Sequence, residues 1–225
     1  MCSGVLISSR NILTSGFCAR KIFAGLSTAD AAVGGVNDFQ TDDRDAWDVK
    51  ILERRYYHPE YNQKTGENNI GVLRTFESFQ FTEYVKPVRF GHVGWALPEA
   101  YRCVTVGFQG RDGERRNSYG TVQRLDSAQC QSVIKNIMVE SSNFVEYEWS
   151  EEMDCYTSTY SNDDPDFKHC NYDNGGPLMC YMGKEEGWYL HGIVAGFDKD
   201  CDGYLPIVVT RTDNEKMASW ILEKY

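Results

Sequence analysis

The sequence predicts an all-β protein that ends in one helix, and three observations carry that reading. Strand-like runs alternate with turn signals along the chain. Its 225 residues, 41% hydrophobic, suit one all-β unit of paired barrels with a sizeable core. Eight cysteines, an even number, stand at long spacings with no C-x2-C pair, which favours a disulfide framework over zinc.

The predicted strands, in order, are Ser3–Ser8, Val49–Arg55, Ile70–Arg74, Arg102–Phe108, Gly120–Leu125, Pro177–Met182, Trp188–Ala195 and Ile207–Thr210. Clusters of Pro, Gly, Asn and Asp punctuate them. Ser127–Asn136 reads as a short helix with Ser127 as its N-cap. Thr212–Lys224 reads as the terminal helix. Met217, Trp220, Ile221 and Tyr225 fall at helical spacing, with Lys216 and Lys224 on the polar side. No low-complexity linker and no repeat of 20–50 residues interrupts the chain.

Composition excludes some functions. Net charge is −10, which argues against nucleic acid and anionic membranes as partners. No run of 18 apolar residues supports a membrane-spanning helix. The cysteines argue for an oxidising compartment, hence secretion.

Cys170-Asn171-Tyr172-Asp173-Asn174-Gly175-Gly176-Pro177-Leu178-Met179-Cys180 resembles the nucleophile loop of trypsin-like serine proteases, a G-D-S-G-G-P-L run between half-cystines. Cys2-Ser3-Gly4-Val5-Leu6-Ile7-Ser8 with Ile12-Leu13-Thr14-Ser15-Gly16-Phe17-Cys18 resembles that family's C-G-G-S-L-I-S … V-L-T-A-A-H-C. Tyr57-His58-Pro59-Glu60-Tyr61-Asn62 and Asn68-Asn69-Ile70-Gly71-Val72-Leu73 resemble H-P-x-Y-N … N-D-I-x-L-L. The resemblance spans nearly the whole chain. It implies two six-stranded antiparallel Greek-key β-barrels, about residues 1–93 and 94–211, and a final helix about 212–225.

The same alignment places the wrong chemistry at the site. Asn174 takes the serine's place, and its delocalised amide nitrogen has no lone pair for acyl attack. Phe17 takes the histidine's place and has no nitrogen to act as general base. Asn69 takes the aspartate's place. In one member of this family that last change alone lowers turnover by about 10⁴ through the wrong histidine tautomer. Tyr172 stands at a glycine of the oxyanion hole, where a Cβ restricts the backbone. Lys168 stands at the pocket base, Phe197 ends the Ala195-Gly196-Phe197 replacement of S-W-G, and Ile207 replaces a pocket glycine. The expectation is a blocked specificity pocket and no catalysis.

The resemblance also implies the pairing Cys2–Cys18, Cys103–Cys180, Cys130–Cys155 and Cys170–Cys201. Family members begin with about two dozen residues opened by I-V-G-G, whose amine pairs with an aspartate corresponding to Asp173. Val33-Gly34-Gly35 lies in the wrong place for this. Either an N-terminal segment is omitted from the numbered chain, or the fold manages without it, with Lys168 or His169 as a substitute partner.

Two loops depart from family lengths. Asp42, Asp43, Asp45 and Asp48 in Gln40–Asp48 could supply calcium ligands, but a solvated acidic loop is the favoured reading, and no metal or cofactor is expected. Ile137–Met153 carries Phe144, Tyr147 and Trp149 among Glu140, Glu146, Glu148, Glu151 and Glu152. These aromatics either anchor a partner or cover their own loop. His58, His92, His169 and His191 have no metal spacing, and His58 reads as structural.

The function expected is that of a secreted, inactive protease homologue that binds another protein: a protease, an inhibitor or a cascade component. A structural subunit of an extracellular assembly is the alternative, and a monomer at micromolar concentration would argue against it. A hydrolase with an unorthodox residual site is a third reading, which covalent fluorophosphonate labelling would revive.

Overall fold

The computed structural model describes residues 2–21, 30–36, 47–91, 93–94, 97, 101–109, 116–140, 149–158, 174–196 and 206–225, with the backbone alone at 109, 116, 118 and 135–140. Two antiparallel sheets account for its strands. The first joins β1 (Val5–Leu6), β2 (Asn11–Thr14), β3 (Ala31–Gly34), β4 (Asp48–Tyr57) and β5 (Gly71–Thr75) in the order β1-β2-β5-β4-β3. The second is a closed six-stranded barrel. Its strands are β6 (Arg102–Gln109), β7 (Arg116–Arg124), β8 (Met153–Ser158), β9 (Pro177–Tyr181), β10 (Trp188–Gly196) and β11 (Ile207–Arg211), in the order β10-β11-β8-β7-β6-β9. The expected mostly-β architecture of two units with a final helix is therefore present: the second sheet closes as a six-stranded barrel, and the first is a five-stranded sheet among the described residues.

All eight predicted strands form. Three further strands, β2, β3 and β8, and a short helix α1 (Gly16–Lys21) join them. Helix α2 spans Ser127–Glu140, longer than expected, so residues 137–140 are helical rather than loop. Its cap is Asp126, not Ser127. Asp126 Oδ1 accepts from the Gln129 N–H at 2.7 Å, and Gln129 Oε1 accepts from the Asp126 N–H at 3.2 Å. This reciprocal pair is a capping box, and a carboxylate also suits the positive end of the helix dipole. Helix α3 spans Glu215–Lys224, with Asn214 Oδ1 accepting from the N–H groups of Lys216 and Met217.

Met217, Trp220 and Ile221 are buried as their spacing predicts, but Tyr225 is exposed. It lies past the last helical turn, where its phenol donates to the Ile7 carbonyl at 2.6 Å and its carbonyl accepts from Asn11 Nδ2 at 2.9 Å. One apolar cluster gathers Val5, Ile7, Leu13, Ile70 and Val72 from the first sheet and its flanks, Leu190 and Ile193 from β10, and Met217, Trp220 and Ile221 from α3. This cluster thus lies between the two sheets, under the helix, and separate clusters fill the second barrel and the first sheet.

Three expected disulfides are formed: Cys2–Cys18, Cys103–Cys180 and Cys130–Cys155. The second links register partners on β6 and β9, and the third ties α2 to β8. Cys170–Cys201 lies outside the described residues. Trp149 packs on the cluster of Cys130, Ile134, Met153, Cys155 and Val208, and so lies against α2 and the second barrel. Phe144, Tyr147, Glu146 and Glu148 lie outside the described residues. So do Asp42, Asp43 and Asp45, while Asp48 is engaged by Lys50 at 2.6 Å and by the Gln80 N–H at 2.9 Å.

Candidate functional site

Phe17, Asn69 and Asn174 come from three separate segments and meet where the two sheets join. Phe17 is on α1, directly after β2; Asn69 precedes β5; Asn174 precedes β9. The Phe17 N–H donates to Asn69 Oδ1 at 2.8 Å. Asn69 Nδ2 donates to the Ala195 carbonyl on β10 at 3.1 Å. Since an N–H can only donate and a carbonyl can only accept, these partners fix which way the amide points. The Asn69 carbonyl accepts from Thr210 Oγ1 at 3.2 Å. At 2% exposure, Asn69 is a buried bridge from α1 to the second barrel. A carboxylate there could accept from Phe17 but could not donate to Ala195.

Asn174 is 6% exposed and is fixed from three directions. Its Oδ1 accepts from Ser15 Oγ at 2.5 Å. Its carbonyl accepts from the Ser3 N–H at 2.9 Å, and the next N–H, that of Gly175, donates to the Val194 carbonyl at 2.8 Å. Ser15 Oγ in turn accepts from the Cys18 N–H at 3.1 Å, so one hydroxyl caps α1 and holds Asn174. Gly175 has φ +89°, and a Cβ there would lie 2.1 Å from Thr14 Oγ1 and 2.3 Å from the Ser3 carbonyl. Only glycine fits. Asn69 and Gly175 thus both anchor on adjacent carbonyls of β10, which holds the three positions in one site.

The chemistry of this site follows from its donors and acceptors. The Asn174 amide offers no nucleophile. The Ser15 hydroxyl is buried and gives its proton to an amide oxygen, a poor base. Phe17 presents a ring, with the Lys21 ammonium 5.7 Å from its centroid. The two described histidines lie elsewhere, His58 against Trp220 and His191 inside the second barrel. Ile207 is buried with Val194, Leu178 and Val209 in the barrel core. Tyr172, Lys168, His169, Asp173, Phe197 and His92 lie outside the described residues.

Sequence reasoning missed Ser15, whose neighbours suggested no role. It also missed a buried charge group at one end of the barrel. Asp154 pairs with Arg124 at 2.7 Å, and Arg211 makes a two-pronged contact with Asp213 at 2.9 and 3.0 Å. His191 sits between the two carboxylates at 3.7 and 3.8 Å, too long for direct hydrogen bonds. Burial pushes the Asp154 carboxyl up, but the Arg124 guanidinium bonded to it and the nearby Arg211 outweigh it and hold it below the ordinary range. Burial pushes the neighbouring Tyr156 phenol well above its usual value. Among the described residues no cluster of His, Cys, Asp and Glu could hold a metal ion, and no helix is long and apolar enough to cross a membrane.

A family model described as trypsin matches residues 1–221. The chain is 24% identical over 225 residues to chymotrypsin-C of Rattus norvegicus, covering 99% of this chain and 77% of that protein. Chymotrypsin-C of Mus musculus is 24% identical with the same coverage. Granzyme M of Rattus norvegicus is 27% identical over 223 residues, covering 98% of this chain and 78% of that protein.

Proposed function

Since this chain belongs to the trypsin family, its site is to be judged against serine-protease chemistry, and we propose that it is a secreted, proteolytically inactive member that works by binding another protein. One observation carries the reading: Asn174, at the nucleophile position, is buried and hydrogen-bonded to Ser15 and Ser3 instead of facing a base. Phe17 and Asn69 support it, because neither can serve as the base or orient one as a carboxylate does. Three formed disulfides favour an extracellular setting. The partner is a protease, an inhibitor or a cascade component, so the protein acts as regulator, cofactor or decoy in a protease cascade or in host defence.

Fluorophosphonate labelling of the native protein, with Asn174→Ala and heat-denatured controls, tests the loss of chemistry. No covalent adduct is expected. An adduct that survives Asn174→Ala but disappears on denaturation would refute inactivity. Binding is tested by immobilising the native protein in its source fluid and identifying captured proteins by mass spectrometry. Enrichment of a protease or inhibitor with saturable affinity is expected; no saturable ligand would count against the binding role.

A further inference from the structure

The turn at residues 58–62 meets helix α3 through the His58 imidazole and the Glu60–Lys216 ion pair. His58 is 4% exposed. Its Nδ1 accepts from the Glu60 N–H at 3.2 Å, so that nitrogen carries no proton and the ring's N–H is at Nε2. The ring lies tilted on the Trp220 indole of α3, with centroids 5.5 Å apart. Trp220 belongs to the cluster that joins both sheets. One turn earlier on α3, Lys216 pairs with Glu60 at 2.6 Å. The charged groups around His58 are therefore Lys216 from α3, Glu60 from its own turn, and Glu152 from the turn before β8. The Glu152 carboxylate is itself committed to the Asn68 N–H at 2.9 Å.

We infer that His58 is an acid-sensitive latch between this turn and α3. A proton taken up at Nδ1 abolishes the acceptor for the Glu60 N–H. It also places a cation in an apolar contact beside Lys216. Both changes loosen the seat of Trp220, and with it the helix.

The electrostatics agree with the geometry. Burial, and next Lys216, hold the imidazole below its ordinary value, against the opposing pull of Glu60 and Glu152. The unfolded chain therefore binds this proton first as pH falls. The contribution is complete above the ordinary histidine value of about 6.5 and is lost as pH drops below it toward the folded value. The device is independent of whether the site between the sheets is catalytically dead.

The test is amide hydrogen exchange of the full chain at about pH 7.5 and about pH 5, corrected for the intrinsic pH dependence of exchange. Wild type is compared with His58→Asn, whose side-chain oxygen can accept from Glu60 but cannot titrate. Wild-type α3 should lose protection on acidification, and the variant should not. Equal loss in both proteins, or unchanged protection in wild type, would overturn the proposal. Lys216→Met supplies a second reading, since Lys216 is half-exposed and the change spares the core. Without Lys216 the folded value moves up toward the unfolded one, so its acid loss should be smaller than in wild type, and an equal loss would count against the latch.

Discussion

Restoring the aspartate that the family places at position 69 should weaken this protein. In Asn69→Asp the donor to the Ala195 carbonyl becomes an oxygen, while the Phe17 N–H still has an acceptor. One hydrogen bond worth about 1 kcal/mol is lost, and two oxygens now face each other at about 3 Å in a site that is 2% exposed. Adding the cost of a poorly compensated buried charge brings the loss to roughly 2–4 kcal/mol. At roughly 2–4 °C per kcal/mol for a chain of this size, Tm falls by roughly 4–16 °C. When protonated, the introduced carboxyl carries a hydroxyl that can donate to Ala195, so the deficit has a definite pH dependence. The folded state holds that proton more tightly than the unfolded chain. The deficit is therefore small below about pH 4 and grows as pH rises. Urea unfolding of variant and wild type at matched pH values from about 4 to 8 reads it as a difference, which cancels every other titrating group. An unchanged midpoint at neutral pH, or a loss equal at all pH values, would refute the assignment of Asn69 as a donor.

The triple variant Phe17→His, Asn69→Asp, Asn174→Ser should cleave peptide esters and amides poorly, because Ser15, Tyr172, Lys168 and Ile207 are left in place; efficient turnover in a chromogenic assay would contradict the proposed inactivity. Gly175→Ala should cost about 3 kcal/mol or more, from a positive φ and a Cβ 2.1 Å from Thr14 Oγ1, and the urea midpoint or loss of soluble yield checks it. Asp154 stabilises the fold above its ordinary carboxyl value of about 3.9 and loses that contribution as pH falls toward its depressed folded value. Asp154→Asn should therefore lower stability at neutral pH and flatten the acid limb of the stability profile, as followed by circular dichroism.

Legibility in the sequence followed the range of the interactions. Apolar runs such as Ile70–Arg74 and Trp188–Ala195 announced their strands, because burial on a sheet leaves a local pattern. Ala31–Gly34 was silent, because two alanines and a glycine, weak strand formers, surround its single β-branched residue, Val33. Met153–Ser158 was silent for another reason. Asp154 breaks its apolar pattern, and only Arg124 and Arg211, brought in by neighbouring strands, make that charge tolerable inside a barrel. Phe17 and Asn174 were placed by the cysteines and the Gly-Gly-Pro-Leu run beside them, which fix register. The bond from Ser15 to Asn174 spans 159 positions. Nothing in the neighbourhood of either residue records it, so the strut that holds Asn174 became visible only with the fold. The same limit hid the Ala195 carbonyl, a backbone group available to any residue type.

The shared cluster under α3 bears on how the molecule is made. A ribosome releases Val5, Ile7 and Leu13 early, yet the residues that cover them, Met217, Trp220 and Ile221, emerge some two hundred positions later. Until then the first sheet has an unfinished interior, and its Ile7 carbonyl lacks the Tyr225 phenol. Vectorial synthesis can deliver strands and cystines in sequence, but the cluster shared by the two sheets is complete only after α3 has left the exit tunnel.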